Sequence, residues 1–431
     1  MQILIKNGYV VDPLNALEAV KDVYIAKGKI VAMNDPGKVL ADFTAERVID
    51  AKGWMVVPGL VDLSASLREP GYEYKATLES EMQAAIQGGV TSLVCPPDTD
   101  PVLDEPGLVE MLKHRARSLN QAHVYPLGAL TVGLKGKNLT EMAELAEAGC
   151  IGFSQAFESI TDTRVLMRAM QYAKTFGYTL WLRADEPYLS QGGIAHSGSM
   201  ASRLGLPGIP VIAETIALYT LFELMRVTGA RVHVCRVSSA RGVELIRAAK
   251  AEGLLVSCDV GVHHIHMTDM DIGFFDANAR IFPPFRSQRD RDAIRSGLQD
   301  GTIDAICSDH TPVDDDEKTR PFGEAAPGVT GLELLLSLVL KWRNECLDFS
   351  GAWSLAMSKI TSQPARIGQF SAGDLSVGKM ADLCLFDPNV RWKVSPENLA
   401  SQGKHTPFLG YELDGKVKMT IVGGQVVFER I

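Results

Sequence analysis

The chain has 431 residues, 46% of them hydrophobic and 22% charged, with a net charge of −9 at pH 7. That is the composition of a globular protein with room for two or three folding units. The acidic balance argues against a nucleic-acid partner, no apolar run reaches membrane-spanning length, and the start MQILIKNGYVVDPLNALEAV lacks the cationic-then-apolar order of a signal peptide.

Residues 1–53 break into short alternating runs, MQILIKNGYVV, KDVYIAKGKIVAM and ERVIDAKG, punctuated by Gly8, Gly28 and Gly53; these predict small antiparallel strands. From Val56 the texture changes. The β-type runs VVPGLVD, TSLVCPP, HVYPLGAL, IGFSQAF, TLWLRAD, RVHVCRVSS, LLVSCDVGVHH and DAICSDHTP alternate with helical patterns such as PGLVEMLKHRARSL. In that segment Leu108, Met111, Leu112 and Leu119 fall near one face. Eight such runs, with Val56 to Val61 taken as the first strand, are the pattern of an α/β fold of the (β/α)8 barrel type, whose active sites form at the C-terminal ends of the strands. KMADLCLFDP and VKMTIVGGQVVFERI then return to the style of the N-terminus. The expected organisation is a barrel over 54–365 and a small β-sandwich built from 1–53 together with 366–431. The seven cysteines are scattered without a CxxC. Six of them (Cys95, Cys150, Cys235, Cys258, Cys307, Cys384) sit in or beside apolar runs, which predicts a reduced, cytoplasmic chain.

Several motifs make the reading more specific: Arg68-Glu69-Pro70-Gly71 after the first strand, PPDTDP at 96–101, NARIFPPFR at 278–286, SDHTP at 308–312 and PGVTGLE at 327–333. In order and spacing they resemble the dihydroorotases of the cyclic amidohydrolase superfamily, over essentially the whole chain. The resemblance implies a TIM-type barrel of the metal-dependent hydrolase kind. In active relatives zinc polarises the ring amide of dihydroorotate and supplies hydroxide near neutral pH. The family places His-x-His after the first strand, an acidic or modified-lysine bridge mid-barrel, a histidine after each of two later strands, and an aspartate after the last.

Here those positions fall on Ser64 and Ser66, Gln155, Arg183, Arg236 and Asp309, so that five of six have changed. Serine and glutamine are weak neutral ligands, whereas zinc is held by thiolate, imidazole and carboxylate. Arginine has no acceptor and stays protonated. The expected metal content is therefore none, and Asp309 is a vestige with two arginines supplying the positive charge. Among the positions that the resemblance assigns to substrate, Arg68 and Asn278 match residues holding its carboxylate end, and Pro327-Gly328 matches a backbone contact near the ring. Asp98 replaces an asparagine, and Val313 replaces a histidine.

Three blander readings stand beside these. Ser64 and Ser66 taken alone are ordinary strand-end serines. The cluster His263, His264 and His266, read as a strand, puts only His264 and His266 on one face, which is too few for a relocated metal site. Asp314-Asp315-Asp316-Glu317 reads as a solvated loop. The losses resemble those of the non-catalytic dihydroorotase-like subunits of some bacteria, which assemble with aspartate transcarbamoylase. The partners so implied are the transcarbamoylase catalytic chain and a second copy of this chain. The competing readings are an active cyclic amidohydrolase with an atypical or single-metal site, and a small-molecule sensor using Arg68 and Asn278.

Overall fold

The computed structural model describes residues 2–430. Strands from both chain ends form one eight-stranded sheet, in which Met55–Pro58 lies between Gln2–Asp12 and Leu383–Lys393. The sheet curls on itself. The Ile30 N–H donates to the Lys379 carbonyl (3.0 Å), and the Gly378 N–H donates back to the Ile30 carbonyl (2.8 Å). Inside the curl Ile3, Val10, Ile25, Val56, Leu383 and Ile421 form a core of their own, the small sandwich beside the barrel.

The barrel begins at Leu60, not at 54. The apolar run from Val56 to Val61 is two strands: Met55–Pro58 belongs to the end sheet and Leu60–Asp62 to the barrel. Gly59 makes the break. Its N–H donates to the Asp382 carbonyl (2.9 Å), and a Cβ there would run into the Thr91 side chain. At the other limit, helix Ser362–Gly368 runs across the expected boundary at 365, and the end sheet resumes only at Leu383. Gly8 lies inside Gln2–Asp12 at a register shift, not between strands.

The barrel strands are Leu60–Asp62, Val90–Cys95, His123–Pro126 continued by Gly128–Ala129, Phe153–Ser154, Thr179–Arg183, Arg231–Cys235, Val256–Gly261 and Ala305–Cys307. All neighbours pair in parallel. The ring closes where the Ser66 N–H donates to the His310 carbonyl (2.8 Å) and the His310 N–H to that of Ser64 (3.1 Å). Helices follow the strands, and in some of them a side chain satisfies the first free N–H groups. Thr77 caps Leu78–Gln87, and Ser239 caps Ala240–Glu252. In Pro106–Leu119 the buried stripe is Val109, Leu112 and Ala116, whereas Met111 faces solvent. Among the described residues no helix is long and apolar enough to cross a membrane, and all seven cysteines are free thiols.

Two local expectations fail. Val262–Ile265 is a 3-10 turn, not a strand, and its histidines diverge: His264 Nε2–H donates to the Pro283 carbonyl (3.1 Å), His266 Nε2–H donates to that of Leu338 (2.9 Å), and His263 stacks on Phe408. Asp315–Lys318 is a turn of helix capped by Asp314, not a free loop. Asp315 and Glu317 pair with His405 and Lys75, each at 2.8 Å.

Candidate functional site

Arg183 ends the fifth barrel strand, Arg236 follows the sixth and Asp309 follows the eighth, so the barrel delivers all three to one mouth. Arg183 Nη2 lies 3.6 Å and Arg236 Nε 3.4 Å from the same oxygen, Asp309 Oδ1, with each side chain at most 7% exposed. These are charge contacts rather than aligned hydrogen bonds. Arg183 is held further by the Phe282 carbonyl (2.8 Å) and by the Phe157 ring, 4.2 Å from its guanidinium carbon. Burial, with Arg236 beside it, pulls Arg183 down to about 10. Burial also works against the charge on Arg236, but the Asp259 and Asp309 carboxylates help to hold that group more firmly protonated than usual. Both guanidinium groups therefore carry charge at neutral pH. Arg236 and Asp309 also occupy left-handed backbone positions, at φ 57° and 49°, a strained conformation for side-chain-bearing residues that a strand-end turn imposes.

The remaining positions at the mouth are already engaged. Gln155 accepts from the Thr131 hydroxyl (3.0 Å) and donates to the Leu134 carbonyl (2.7 Å). Ser66 and Arg68 both reach Asp98 Oδ2 at 3.5 Å, and Arg68 Nε donates to the Pro312 carbonyl (3.1 Å). Asp98 is thus the carboxylate that faces Arg68. The Gly328 N–H donates to the Arg280 carbonyl (3.1 Å), and its own carbonyl accepts from Lys318 Nζ (2.7 Å). Ser64 and Val313 are buried. Asn278 sits on the turn Ala277–Ala279 with its side-chain oxygen buried and without a partner, and no hydrogen bond joins it to Arg68 or Asp98 among the described residues.

A family metal does not fit these donors. The void between Arg183, Arg236, Phe282 and Arg286 measures about 20 Å³, room for one water, and its wall holds the three arginines together with Asp185 and Glu214. His233, Cys235 and Asp259 approach one another closely enough to share an ion, but their ligand atoms are spent. His233 bonds Ser257 through Nδ1 (2.9 Å) and Asp259 through Nε2 (3.1 Å). Asp259 also accepts the Arg236 N–H (2.5 Å), and burial pushes the Cys235 thiol up to about 12.

Supporting residues that the motifs did not announce include Asp259 and Glu81. Asp259 carried a signal, since it is an acid in the middle of the apolar run VSCDVGV. Glu81 carried none. It accepts from His310 Nε2–H (2.5 Å), and His310 Nδ1 accepts from the Gly331 N–H (3.1 Å). Burial pushes the Glu81 carboxyl up, but His310 and two serine hydroxyls outweigh that and keep it below its ordinary value.

The profile of dihydro-orotase-like proteins matches residues 53–242, and that of the amidohydrolase family matches residues 190–427. A dihydroorotase-like protein of Pseudomonas aeruginosa is 41% identical over 430 residues, covering 100% of both chains. One from Pseudomonas putida is 42% identical over 427 residues and 99% of each. A dihydroorotase of Syntrophus aciditrophicus is 39% identical over 430 residues and 100% of each. Among solved structures, the L-hydantoinase of Arthrobacter aurescens is similar at a TM-score of 0.87 and 25% identity, over 99% of this chain and 96% of that one. With strand order, motif order and full-length relatives in agreement, the chain belongs to the dihydroorotase-like family of the amidohydrolase superfamily.

Proposed function

We propose that this chain is a catalytically inactive dihydroorotase homologue, a non-catalytic subunit that assembles with aspartate transcarbamoylase in pyrimidine biosynthesis. One observation carries the inactivity: two buried guanidinium groups converge on Asp309, the only carboxylate left of the family's ligand set. A dication brought there meets two fixed positive charges and one carboxylate, so its binding is opposed rather than favoured. The pairing of Arg68 with Asp98 supports the same reading, since the carboxylate clamp is closed by a carboxylate of the chain itself. The assembly role rests on the resemblance of these losses to non-catalytic subunits. It also fits an intact barrel core, because decay without selection would not spare the core.

The test has two arms. Purified chain incubated with zinc should hydrolyse dihydroorotate no faster than buffer. Transcarbamoylase from the same cell should gain activity or solubility when this chain is added, and keep that gain with Ser64→Ala in place. Zinc-dependent turnover would overturn the first half, and a transcarbamoylase indifferent to the chain the second. The second reading, an active cyclic amidohydrolase with an atypical or single-metal site, draws on the full-length relatives named dihydroorotase. It would have to use His233, Cys235 and Asp259, whose ligand atoms are already committed.

A further inference from the structure

We infer that a cavity beside the barrel mouth binds a small apolar α-amino acid as its zwitterion. The cavity measures about 270 Å³ and lies between three segments: the loop after Phe153–Ser154, the end of Thr179–Arg183 with the residues that follow it, and helix Val211–Thr228. Neither Arg68, Asn278 nor Asp309 lines it. Its body is apolar, with Leu166, Leu182 and Leu221 buried and Ile160 and Ile216 beside them. Sites for drug-sized molecules run from roughly 300 to 1,000 Å³, so this one suits a smaller ligand.

Arg183, in the lining, offers a donor that nothing in the chain takes up. Its side chain is 5% exposed. Nη1 donates to the Phe282 carbonyl and Nη2 faces Asp309, but Nε is buried without a hydrogen-bond partner among the described residues. A buried N–H left open is rare in a folded chain, and a carboxylate is the acceptor that a guanidinium holds most strongly.

Three carboxylates line the same cavity: Glu158, Asp185 and Glu186. Asp185 uses one oxygen for the Ser190 hydroxyl (2.8 Å) and Glu186 one for the Leu189 N–H (2.8 Å), which leaves each a second oxygen. Three negative charges oppose a simple carboxylate, and a simple amine leaves the Arg183 N–H unmet. A ligand carrying both an acceptor and an ammonium satisfies both. Arg183 and Asp185 are two residues apart, about 7 Å along an extended chain. The two charges of the ligand therefore sit close together, as they do on one α-carbon, and its side chain is left to the leucines.

Isothermal titration calorimetry of the full chain with L-leucine and L-phenylalanine, up to about 10 mM, tests this. The expected result is saturable binding of at least one of them. Isopentylamine, which lacks the carboxylate of leucine, and isocaproate, which lacks its ammonium, should each bind at least about ten-fold more weakly than leucine, the loss of a hydrogen bond between charged groups. Asp185→Asn should weaken amino-acid binding by a similar factor. Ala217→Phe, which fills the cavity from helix Val211–Thr228 without touching a charge, should abolish it. No saturable binding of either amino acid overturns the inference. So does an amine or acid that binds as tightly as leucine, or binding that Ala217→Phe leaves unchanged. Should Ala217→Phe fail to fold by circular dichroism, the two leucine analogues still decide. The inference does not rest on the functional reading, and no catalytic assay enters, so its failure leaves that reading standing.

Discussion

Replacing Asp309 by asparagine leaves Arg183 and Arg236 facing each other without their shared counter-charge. At 3.4 and 3.6 Å and an effective dielectric of about 20, each attraction is worth roughly 4–5 kcal/mol before desolvation is subtracted. Removing one partner of a buried pair typically costs about 3–5 kcal/mol, because the remaining charge stays buried. With an unfolding entropy of roughly 2.1 cal/mol/K per residue, a chain of this length should melt about 3–6 °C lower. Arg183→Met turns this into a sharper measurement. Alone it leaves Asp309 with Arg236. Combined with Asp309→Asn it removes one charge of each sign and leaves Arg236 near Asp259 at 3.8 Å. The double variant should therefore be about 1–3 kcal/mol more stable than the sum of the single losses. Melting of the four proteins by scanning fluorimetry at one scan rate reads this out. Losses additive to within about 0.5 kcal/mol would refute the claim that Asp309 balances the two arginines as a unit.

Ser64→His with Ser66→His should give no dihydroorotate hydrolysis with added zinc, because Gln155 stays locked to Thr131 and Leu134 and both arginines remain; turnover above buffer in an absorbance assay would contradict this. Lys318→Met removes the ammonium that joins the carbonyls of Arg280, Ala326 and Gly328 at 2.7 to 3.0 Å. Amide hydrogen exchange over residues 314–328 should then be at least about five-fold faster, and an unchanged rate would mean that the carbonyls find other donors. Asp62 is raised to about 6 by burial, against the Ser308 and Ser64 hydrogen bonds that lower it. The folded state therefore binds more protons than the unfolded one between about pH 4 and 6, and this contribution, present at low pH, is lost as pH rises through 6. Asp62→Asn should remove a pH-dependent difference of about 3 kcal/mol; parallel melting curves for wild type and variant from pH 4 to 7 would contradict the assignment.

The barrel was legible because its signal is repetitive: every strand run leads to a helix, and an error in one leaves the others in phase. What escaped was decided by contacts distant in sequence. The run from Val56 to Val61 is uniformly apolar, and only the packing of Gly59 against Thr91 and its bond to Asp382 divide it between two domains. Met111 fits the helical period as well as Leu112 does, but the buried stripe is set by where the strands lie. The histidines at 263–266 follow a strand too closely to be told from it by alternation. At the mouth, the residue types marked the losses plainly. The contacts of Asp98 with Arg68 and of Arg280 with Gly328 arise from loops that meet only in the folded chain.

The position of Met55–Pro58 in the end sheet bears on how the chain must be made. One neighbour, Gln2–Asp12, has already left the ribosome when this strand emerges, but the other, Leu383–Lys393, has not yet been translated. At about 5–20 residues per second the whole barrel is synthesised first, leaving an apolar edge open for roughly half a minute. Such an edge is a template for pairing with the wrong chain. The last strands therefore act as a closing seam, and a chain cut before Leu383 is an open sheet carrying a barrel rather than a shorter version of this protein.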